Sequence, residues 1–301
     1  MTARTGGILA LVAACTIWGL SPILYRILDH VPAGDVMAHR VLWSVVFFLP
    51  LVGMQHRGTE LRIAVSSPRR VLVLLAAALM IGVNWTIFVF AAQLGHLVES
   101  SLGYYIYPLI AVLFGVVLFG ERPARTQILA VGVATLGVLV LTIGLGAAPW
   151  ISLLLAMTFA TYGALKRGIA AHPLVSVTAE TLLMLPVALL WILWHDGAGI
   201  FIDWPTTILL ISTGPLTALP LVLFSFAAKK LTSATLGILF YVNPTLQFLC
   251  GTVLFSEPFT RWHAIAFPLI WSAVALYSVA LVRASRRSPR RDRAASASGT
   301  A

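Results

Sequence analysis

The sequence predicts an all-α membrane protein with ten transmembrane helices, arranged as two inverted five-helix repeats. Three observations carry this prediction: a low content of charged residues, an uneven distribution of Lys and Arg along the chain, and an internal repeat. Only 10% of the 301 residues are charged, against roughly 25% in ordinary soluble domains, and 59% are hydrophobic. A soluble protein of this length needs polar residues to cover its surface, and this chain has too few of them.

Segments without Asp, Glu, Lys or Arg locate the spans, because a bilayer-crossing helix needs about 20 mostly apolar residues. The long segment 126–165 holds two spans, separated by a turn from Gly144 to Pro149. The short seventh span begins at Ser176 if Glu180 lies inside the helix. The segments are 5–25, 41–56, 71–98, 100–120, 126–165, 181–195, 204–228, 231–256 and 262–282.

Lys and Arg give an independent check on this count. With both termini on the cytoplasmic side, 17 of the 20 fall in cytoplasmic segments, and only Arg26, Arg40 and Arg261 lie outside. Such a bias sets the orientation of membrane proteins, so we expect a multi-pass protein of the plasma (bacterial inner) membrane with cytoplasmic termini. The net charge of +10 is then a topological signal, and we expect no nucleic-acid partner.

A shift of 136 residues aligns the fourth span with the ninth. It places Tyr105 on Tyr241, Pro108 on Pro244, Gly115 on Gly251 and Glu121 on Glu257. We therefore divide the chain into a first repeat, 6–144, a second repeat, 149–283, and a basic cytoplasmic tail, 284–301, which its composition predicts to be disordered. Five helices per repeat make the two repeats inverted copies, an arrangement typical of transporters. Duplication within a channel or an enzyme is the alternative.

Several segments together resemble the RarD-type proteins of the EamA family, in the drug/metabolite transporter superfamily. They are TIWGLSPILYRIL (16–28), PAGDVMAHRVLWS (32–44), GVNW (82–85), ESSLGYYIYPL (99–109), VLFGERP (117–123), ATYGALKR (160–167), AETLLMLP (179–186) and LGILFYVNPT (236–245). The resemblance extends from residue 6 to about 283. It implies two EamA repeats and carrier-type transport of small molecules. It also implies a midplane cavity formed by spans one, three, four, six, eight and nine.

Glycine and proline within spans four and nine predict broken helices at corresponding places: Gly103 and Pro108, and Gly237 and Pro244. Proline removes one helical hydrogen bond, and lipid offers no replacement. The freed carbonyl groups must therefore face protein or a water-filled cavity, and paired breaks of this kind indicate a transport site. Simple kinks that serve packing are the alternative.

Polar and aromatic residues near these breaks are our candidates for substrate binding, because amide and phenol groups can hold a polar ligand. They are Asn84, Trp85, Tyr104, Tyr107, Tyr241, Asn243 and Gln247. Intramembrane amides also join helices, and tyrosines near span ends also form the interfacial belt, so each candidate has a structural alternative.

Two charged residues inside the predicted spans are further candidates. Arg40 has no acid three or four residues away, so we expect it to bind an anionic group of the substrate; snorkelling to lipid phosphate is the alternative. Glu180 is the proton-coupling candidate, because a carboxylate within the membrane is usually paired or protonated. An interfacial carboxylate capped by backbone or water is its alternative.

The remaining charges near the span ends are predicted to form local ion pairs. The pairs are Arg26 with Asp29, Glu257 with Arg261, and Glu121 with Arg125.

Motifs of intramembrane enzymes are absent: the sequence has no HExxH, GxSxG, Walker or Asp-rich prenyl-phosphate motif. We expect no catalytic residue, metal or cofactor. The sequence thus predicts a secondary, non-ATP transporter of small metabolites or drugs that works by alternating access, as a monomer or homodimer. Export is favoured by the family resemblance alone, and an intramembrane enzyme or a channel is the alternative.

Overall fold

A computed structural model describes residues 3–146, 148–195 and 203–298, and all regular structure in these ranges is helical. The helices are α1 (Ala3–Ile27), α2 (Ala33–Met54), α3 (Gly58–Ala64), α4 (Pro68–Leu94), α5 (Leu97–Phe119), α6 (Arg125–Leu145), α7 (Trp150–Lys166), α8 (Pro173–Trp194), α9 (Trp204–Ala228), α10 (Ser233–Phe240), α11 (Val242–Leu249) and α12 (Arg261–Ser298). A π-helical turn, Cys250–Leu254, follows α11.

The ten predicted spans can be assigned to these helices. Within the described ranges, nine helical segments are long and apolar enough to cross a membrane; one of them combines α10, α11 and the π-helical turn. Helix α7 has 17 residues and rises about 26 Å at 1.5 Å per residue, which is near the lower limit for a span. Helix α3 belongs to the connection between spans two and three. The predicted fold class is confirmed.

Sequence signals account for many of the helix ends. Pro68 begins α4, and the Ser67 side chain caps this helix by accepting from the Arg70 N–H. Helices α4 and α5 end at Gly95 and Gly120, whose φ values are 79° and 63°. Glycine is suited to this left-handed conformation because it has no Cβ.

The last helix differs from the sequence prediction. Its apolar part is Arg261–Ala280, but the helix continues to Ser298, through a segment for which we predict disorder. Alanine and arginine are strong helix formers, and a helix that is already nucleated grows at low cost. The last three residues of the predicted tail, 299–301, lie outside the described residues.

Helices from the two predicted repeats pack against each other. Helix α1 contacts α9 and α11, α2 contacts α8 and α9, and both α4 and α5 contact α7. Helix α6 packs mainly on α12. The first group of contacts encloses the space between the two repeats, so a ligand there would touch both.

Glu60 of the short helix α3 joins the connection after span two to the start of α8. Its Oε1 accepts from the backbone N–H of His172 at 2.6 Å, and its Oε2 accepts from Arg57 at 2.6 Å. The hydrogen bond from His172, followed by the contact with Arg57, lowers the pKa of this carboxyl group. The two predicted repeats are thus also tied outside the membrane.

Only one of the two predicted helix breaks is present. Span nine is interrupted at Tyr241, between α10 and α11, whereas α5 continues through Gly103 and Pro108. The predicted break in span four is therefore not observed. Gly103 instead allows close packing, because a Cβ there would lie 2.7 Å from the backbone oxygen of Ser152 in α7.

Replacing Gly103 with Ala should destabilise the protein by about 1–3 kcal/mol, because the new methyl group would push α5 and α7 apart. The matched control is Gly132→Ala in α6, where a Cβ would meet nothing within 4 Å. That change should be neutral or stabilising by up to about 1 kcal/mol. Thermal unfolding of the detergent-purified variants measures the difference, and equal stability of the two would contradict this packing role.

Candidate functional site

A cavity of about 320 Å³ lies between the two predicted repeats. Nine aromatic rings dominate its wall, together with two cationic and several uncharged polar side chains. The rings belong to Trp18, Tyr25, Trp85, Phe88, Tyr104, Phe159, Tyr162, Phe224 and Phe240. The other lining residues are Arg40, Lys166, Ser21, Asn84, Thr217, Asn243, Gln247, Ile81, Pro173, Val177, Leu216 and Leu221.

The cavity is open toward the side of the membrane on which α1 begins, here called the amino-terminal side. There the rings of Tyr162, Phe224 and Phe240 are partly exposed, and Pro173 is exposed. Toward the opposite side the wall is closed: Tyr25 is only 1% exposed. The apolar cluster that covers this end includes Leu28, Val31, Val36, Val89, Leu97 and Cys250.

Glu257 fastens the closed end. Its two carboxylate oxygens accept the backbone N–H groups of Leu97 and Val98, each at 2.9 Å, at the start of α5. These N–H groups have no partner within the helix, and the helix dipole favours an anion there. The predicted ion pair with Arg261 is not formed, because the carboxylate is already used by α5.

Glu121, the predicted repeat equivalent of Glu257, has a different environment. Both residues end the same turn: the N–H of Glu121 bonds to the Gly115 carbonyl at 3.0 Å, and that of Glu257 to the Gly251 carbonyl at 2.9 Å. The Glu121 carboxylate, however, is 52% exposed and pairs with Arg167 at 2.6 Å. The predicted partner, Arg125, is not used. After the same turn, Glu257 therefore binds a helix start on one side of the membrane, and Glu121 pairs with a surface arginine on the other side.

Arg40 lies inside the protein rather than at a lipid headgroup, so the snorkelling alternative does not describe it. The side chain is buried, and its Nε donates to Thr217 Oγ1 at 3.1 Å. The guanidinium lies over the Trp85 ring, 4.2 Å from the centroid. Its Nη1 has no hydrogen-bond partner, and the described residues place no acidic group within ion-pair distance. A cation in this position is costly unless something else neutralises it.

Glu180 does not line the cavity but contacts two residues that do. Its Oε1 is 2.7 Å from Lys166 Nζ and accepts from Ser176 Oγ at 2.7 Å, and its Oε2 accepts from Tyr162 OH at 3.0 Å. The side chain is 1% exposed, so this is a buried ion pair and not an interfacial carboxylate. Glu180 and Arg40 are each the eighth residue of a 22-residue helix, α8 and α2, which are corresponding helices of the two predicted repeats.

The amide candidates line the cavity but also join helices. Asn84 Nδ2 donates to Leu155 O and to Thr158 Oγ1, each at 2.9 Å, while its Oδ1 accepts from Tyr104 OH at 3.0 Å. Asn84 thereby connects α4, α5 and α7. Gln247 Nε2 donates to Asn243 Oδ1 at 3.0 Å within α11, and its Oε1 accepts from Ser100 Oγ of α5 at 3.5 Å.

Two of the predicted binding residues lie outside the cavity. Tyr107 packs edge-on against Phe159, with 4.7 Å between the ring centroids, and Phe159 itself forms the wall. Tyr241 stacks on Tyr105 at 6.0 Å, at the interruption of span nine. The Tyr107 ring thus supports the wall from behind.

Several lining residues were not among our candidates. Span seven contributes Pro173 and Val177, and span two contributes the predicted candidate Arg40, although the family resemblance implies six other spans. The rings of Trp18 and Tyr162 also line the cavity. Each precedes a glycine, in a pair that recurs in spans one and six, and this recurrence is the signal that could have identified them.

Comparison with known proteins agrees with this architecture. The sequence profile of the EamA-like transporter family matches residues 5–143. An uncharacterized transporter of Pseudomonas aeruginosa is 41% identical over 293 residues, covering 95% of this chain and 97% of its own. Protein RarD of Streptomyces exfoliatus is 39% identical over 296 residues, covering 96% and 93%. The chain belongs to the RarD-type EamA family.

A further RarD relative and a solved structure also match nearly the whole chain. Protein RarD of Escherichia coli is 34% identical over 288 residues, covering 93% of this chain and 96% of its own. A solved crystal structure with 20% identity has a TM-score of 0.59, covering 91% of this chain and 97% of the other. Its low identity limits that likeness to the fold. The RarD-type EamA chain is thus a multi-pass membrane protein related to transporters along nearly all of its length.

Replacing Glu180 with Gln should destabilise this RarD-type protein by about 1–3 kcal/mol, because Lys166 would keep a largely buried charge without its counter-ion. The double variant Glu180→Gln/Lys166→Met should recover part of that loss, since it also removes the stranded ammonium group. Thermal unfolding in detergent measures both variants. A double variant less stable than the single one would contradict the ion-pair interpretation.

Proposed function

We propose that this protein is a secondary, non-ATP transporter of small metabolites or drugs that works by alternating access, and not an enzyme. We place it in the plasma (bacterial inner) membrane with both termini in the cytoplasm. The amino-terminal side is then the cytoplasmic side, and the cavity is open toward the cytoplasm. Importers and exporters both visit such a state, so export is proposed on the family resemblance alone.

The observation that carries the proposal is the unequal use of Glu257 and Glu121. Inverted repeats can close a central site on either side in turn, because each repeat can adopt the conformation of the other. Here Glu257 caps α5 and fastens the closed side, while its repeat equivalent is half exposed on the open side. The glutamate that recurs in the two repeats is therefore found in two different arrangements, as alternating access requires.

The same alignment specifies the opposite state. The shift of 136 residues maps Leu97 and Val98 onto Ser233 and Ala234, the first residues of α10. In the opposite state Glu121 should leave Arg167 and accept the N–H groups of these two residues, while Glu257 releases α5. At present the first turn of α10 is capped by the Thr232 side chain, which accepts from the Thr235 N–H.

Exchange of one cap for another keeps the two states close in free energy. A hydrogen bond to a charged group contributes about 1.5–3 kcal/mol, so a carboxylate that merely left its helix would make the second state rare. Capping α10 by Glu121 offsets the loss of the Glu257 cap. The substrate then has only a small free-energy difference to overcome.

The two glutamates should shift the equilibrium between the states in opposite directions. Glu257→Gln weakens the closed-side contact and should populate the outward-open state, whereas Glu121→Gln should favour the inward-open state. The reporter is Leu28→Cys, which replaces a residue that is 0% exposed in the closed cluster, in a Cys15→Ala/Cys250→Ala background. An impermeant thiol reagent added outside should label the Glu257→Gln form about tenfold faster for each 1.4 kcal/mol lost from the cap. Equal labelling of both variants would contradict the exchange.

Carrier activity itself is tested in proteoliposomes loaded with a panel of metabolites. We expect saturable counterflow, and Gln247→Ala should alter it because the side chain lines the cavity. Flux that rises without saturation would show a pore. For proton coupling, Glu180→Gln should abolish accumulation driven by a pH gradient while exchange continues. Unchanged accumulation would exclude this role for Glu180.

A further inference from the structure

We infer that the cavity binds an organic monoanion with a planar aromatic body, and that Arg40 grips its carboxylate. This inference rests on the proposed function, because it names the substrate class of the transport cavity. It goes beyond the sequence prediction by fixing the net charge and the shape of the ligand.

The charges around the cavity point to a single negative charge on the ligand. Its wall contains two cations, Arg40 and Lys166, and no Asp or Glu. Lys166 is already neutralised by Glu180 at 2.7 Å, whereas Arg40 has no such partner among the described residues. One positive charge is thus left over. A zwitterion would leave its ammonium group without a free carboxylate in the wall, and a cation would meet Arg40 directly.

The guanidinium of Arg40 is held in position for a ligand. Thr217 accepts from its Nε, and the Thr217 hydroxyl in turn donates to the Thr213 carbonyl at 2.9 Å. The Trp85 ring covers one face of the guanidinium. The Tyr25 side chain also contacts the guanidinium, while Nη1 is buried and has no hydrogen-bond partner. A carboxylate matches the planar fork of arginine and can accept two parallel hydrogen bonds from it.

The rest of the wall suits a flat apolar body. Tyr25, Phe88 and Tyr104 form a chain of edge-to-face contacts, with centroids 5.9 Å and 6.0 Å apart. Phe224 and Phe240 each lie 6.2 Å from Trp18 on the path toward the open side. Aromatic ligands gain from such edge-to-face and stacked contacts. The volume of 320 Å³ lies at the small end of the ~300–1,000 Å³ typical of ligand pockets.

Three compounds with the same indole ring separate the charge requirement from the shape requirement. They are indole-3-acetate, an anion; tryptophan, a zwitterion; and tryptamine, a cation. We expect the affinity for the full-length protein in detergent, measured by isothermal titration calorimetry, to decrease in this order. Equal or tighter binding of tryptophan or tryptamine would overturn the inference.

Arg40→Gln should weaken the binding of indole-3-acetate by about 10- to 100-fold, because the ligand loses a charge-assisted hydrogen bond. The matched control is Arg261→Gln, since Arg261 also lies over an indole ring, that of Trp262 at 5.0 Å, but not in the cavity wall. Its affinity should stay within about twofold of the wild type. A folded Arg40→Gln variant with unchanged affinity would overturn the inference.

Thr217 gives a second test if Arg40→Gln does not fold. Thr217→Val removes the oxygen that orients Arg40 and should weaken binding by about 3- to 10-fold, while Thr217→Ser should restore it. Unchanged affinity of Thr217→Val would overturn the role of Arg40. Binding does not require transport, so the two proposals can fail separately. If indole-3-acetate does not bind but Glu257→Gln and Glu121→Gln still change the labelling rate of Leu28→Cys, only the substrate class is rejected. If indole-3-acetate binds but the labelling rate does not change, only alternating access is rejected.

Discussion

The closure of the cavity on one side depends on one contact, between the Glu257 carboxylate and the first turn of α5. Its two hydrogen bonds, each 2.9 Å long, connect the end of span nine to the start of span four and close the cavity on one side. A buried carboxylate needs such partners because lipid and apolar side chains supply none. The bare N–H groups of a helix start are equally in need of an acceptor. Each group satisfies the other, and the apolar cluster around Leu28 and Leu97 seals the joint.

The same requirement explains why so few charges remain within the membrane-spanning part of the chain. Glu180 is neutralised by Lys166 and receives further hydrogen bonds from Ser176 and Tyr162. Among the described residues Arg40 has Thr217, Tyr25 and the Trp85 ring as partners but no acidic group, and so it stands out. When folding leaves a buried charge without a counter-ion, a ligand that supplies the counter-ion gains binding free energy. Its location in the cavity wall, between the two repeats, is where such a ligand could also favour one state over the other.

The fold could be predicted because the bilayer imposes simple requirements on sequence. Apolar segments of sufficient length, flanked by Lys and Arg, located the ten spans, and even the two spans within 126–165 were separable at Gly144 to Pro149. Arg40, Asn84 and Gln247 were found as cavity residues by their polarity alone. Tyr107 and Tyr241 were not separable from them, because hydropathy does not reveal that Phe159 and Tyr105 cover these rings.

The partners of Glu121 and Glu257 could not be predicted for a deeper reason. The sequence suggested Arg125 and Arg261, each four residues after its glutamate, but the observed partners, Arg167 and the start of α5, are far away along the chain. The two predicted repeats also share the turn from Gly115 to Glu121 and from Gly251 to Glu257, so the sequence alone does not show which side is closed.

The central claim is that the cavity opens toward one side of the membrane as it closes toward the other. Double electron–electron resonance tests it most directly, with spin labels at His96 and Pro258 on the closed side and at Arg122 and Lys230 on the open side. We predict two populations for each pair, and in the Glu257→Gln variant the first distance should lengthen as the second shortens. Distances that stay single, or that lengthen together on both sides, would contradict the account.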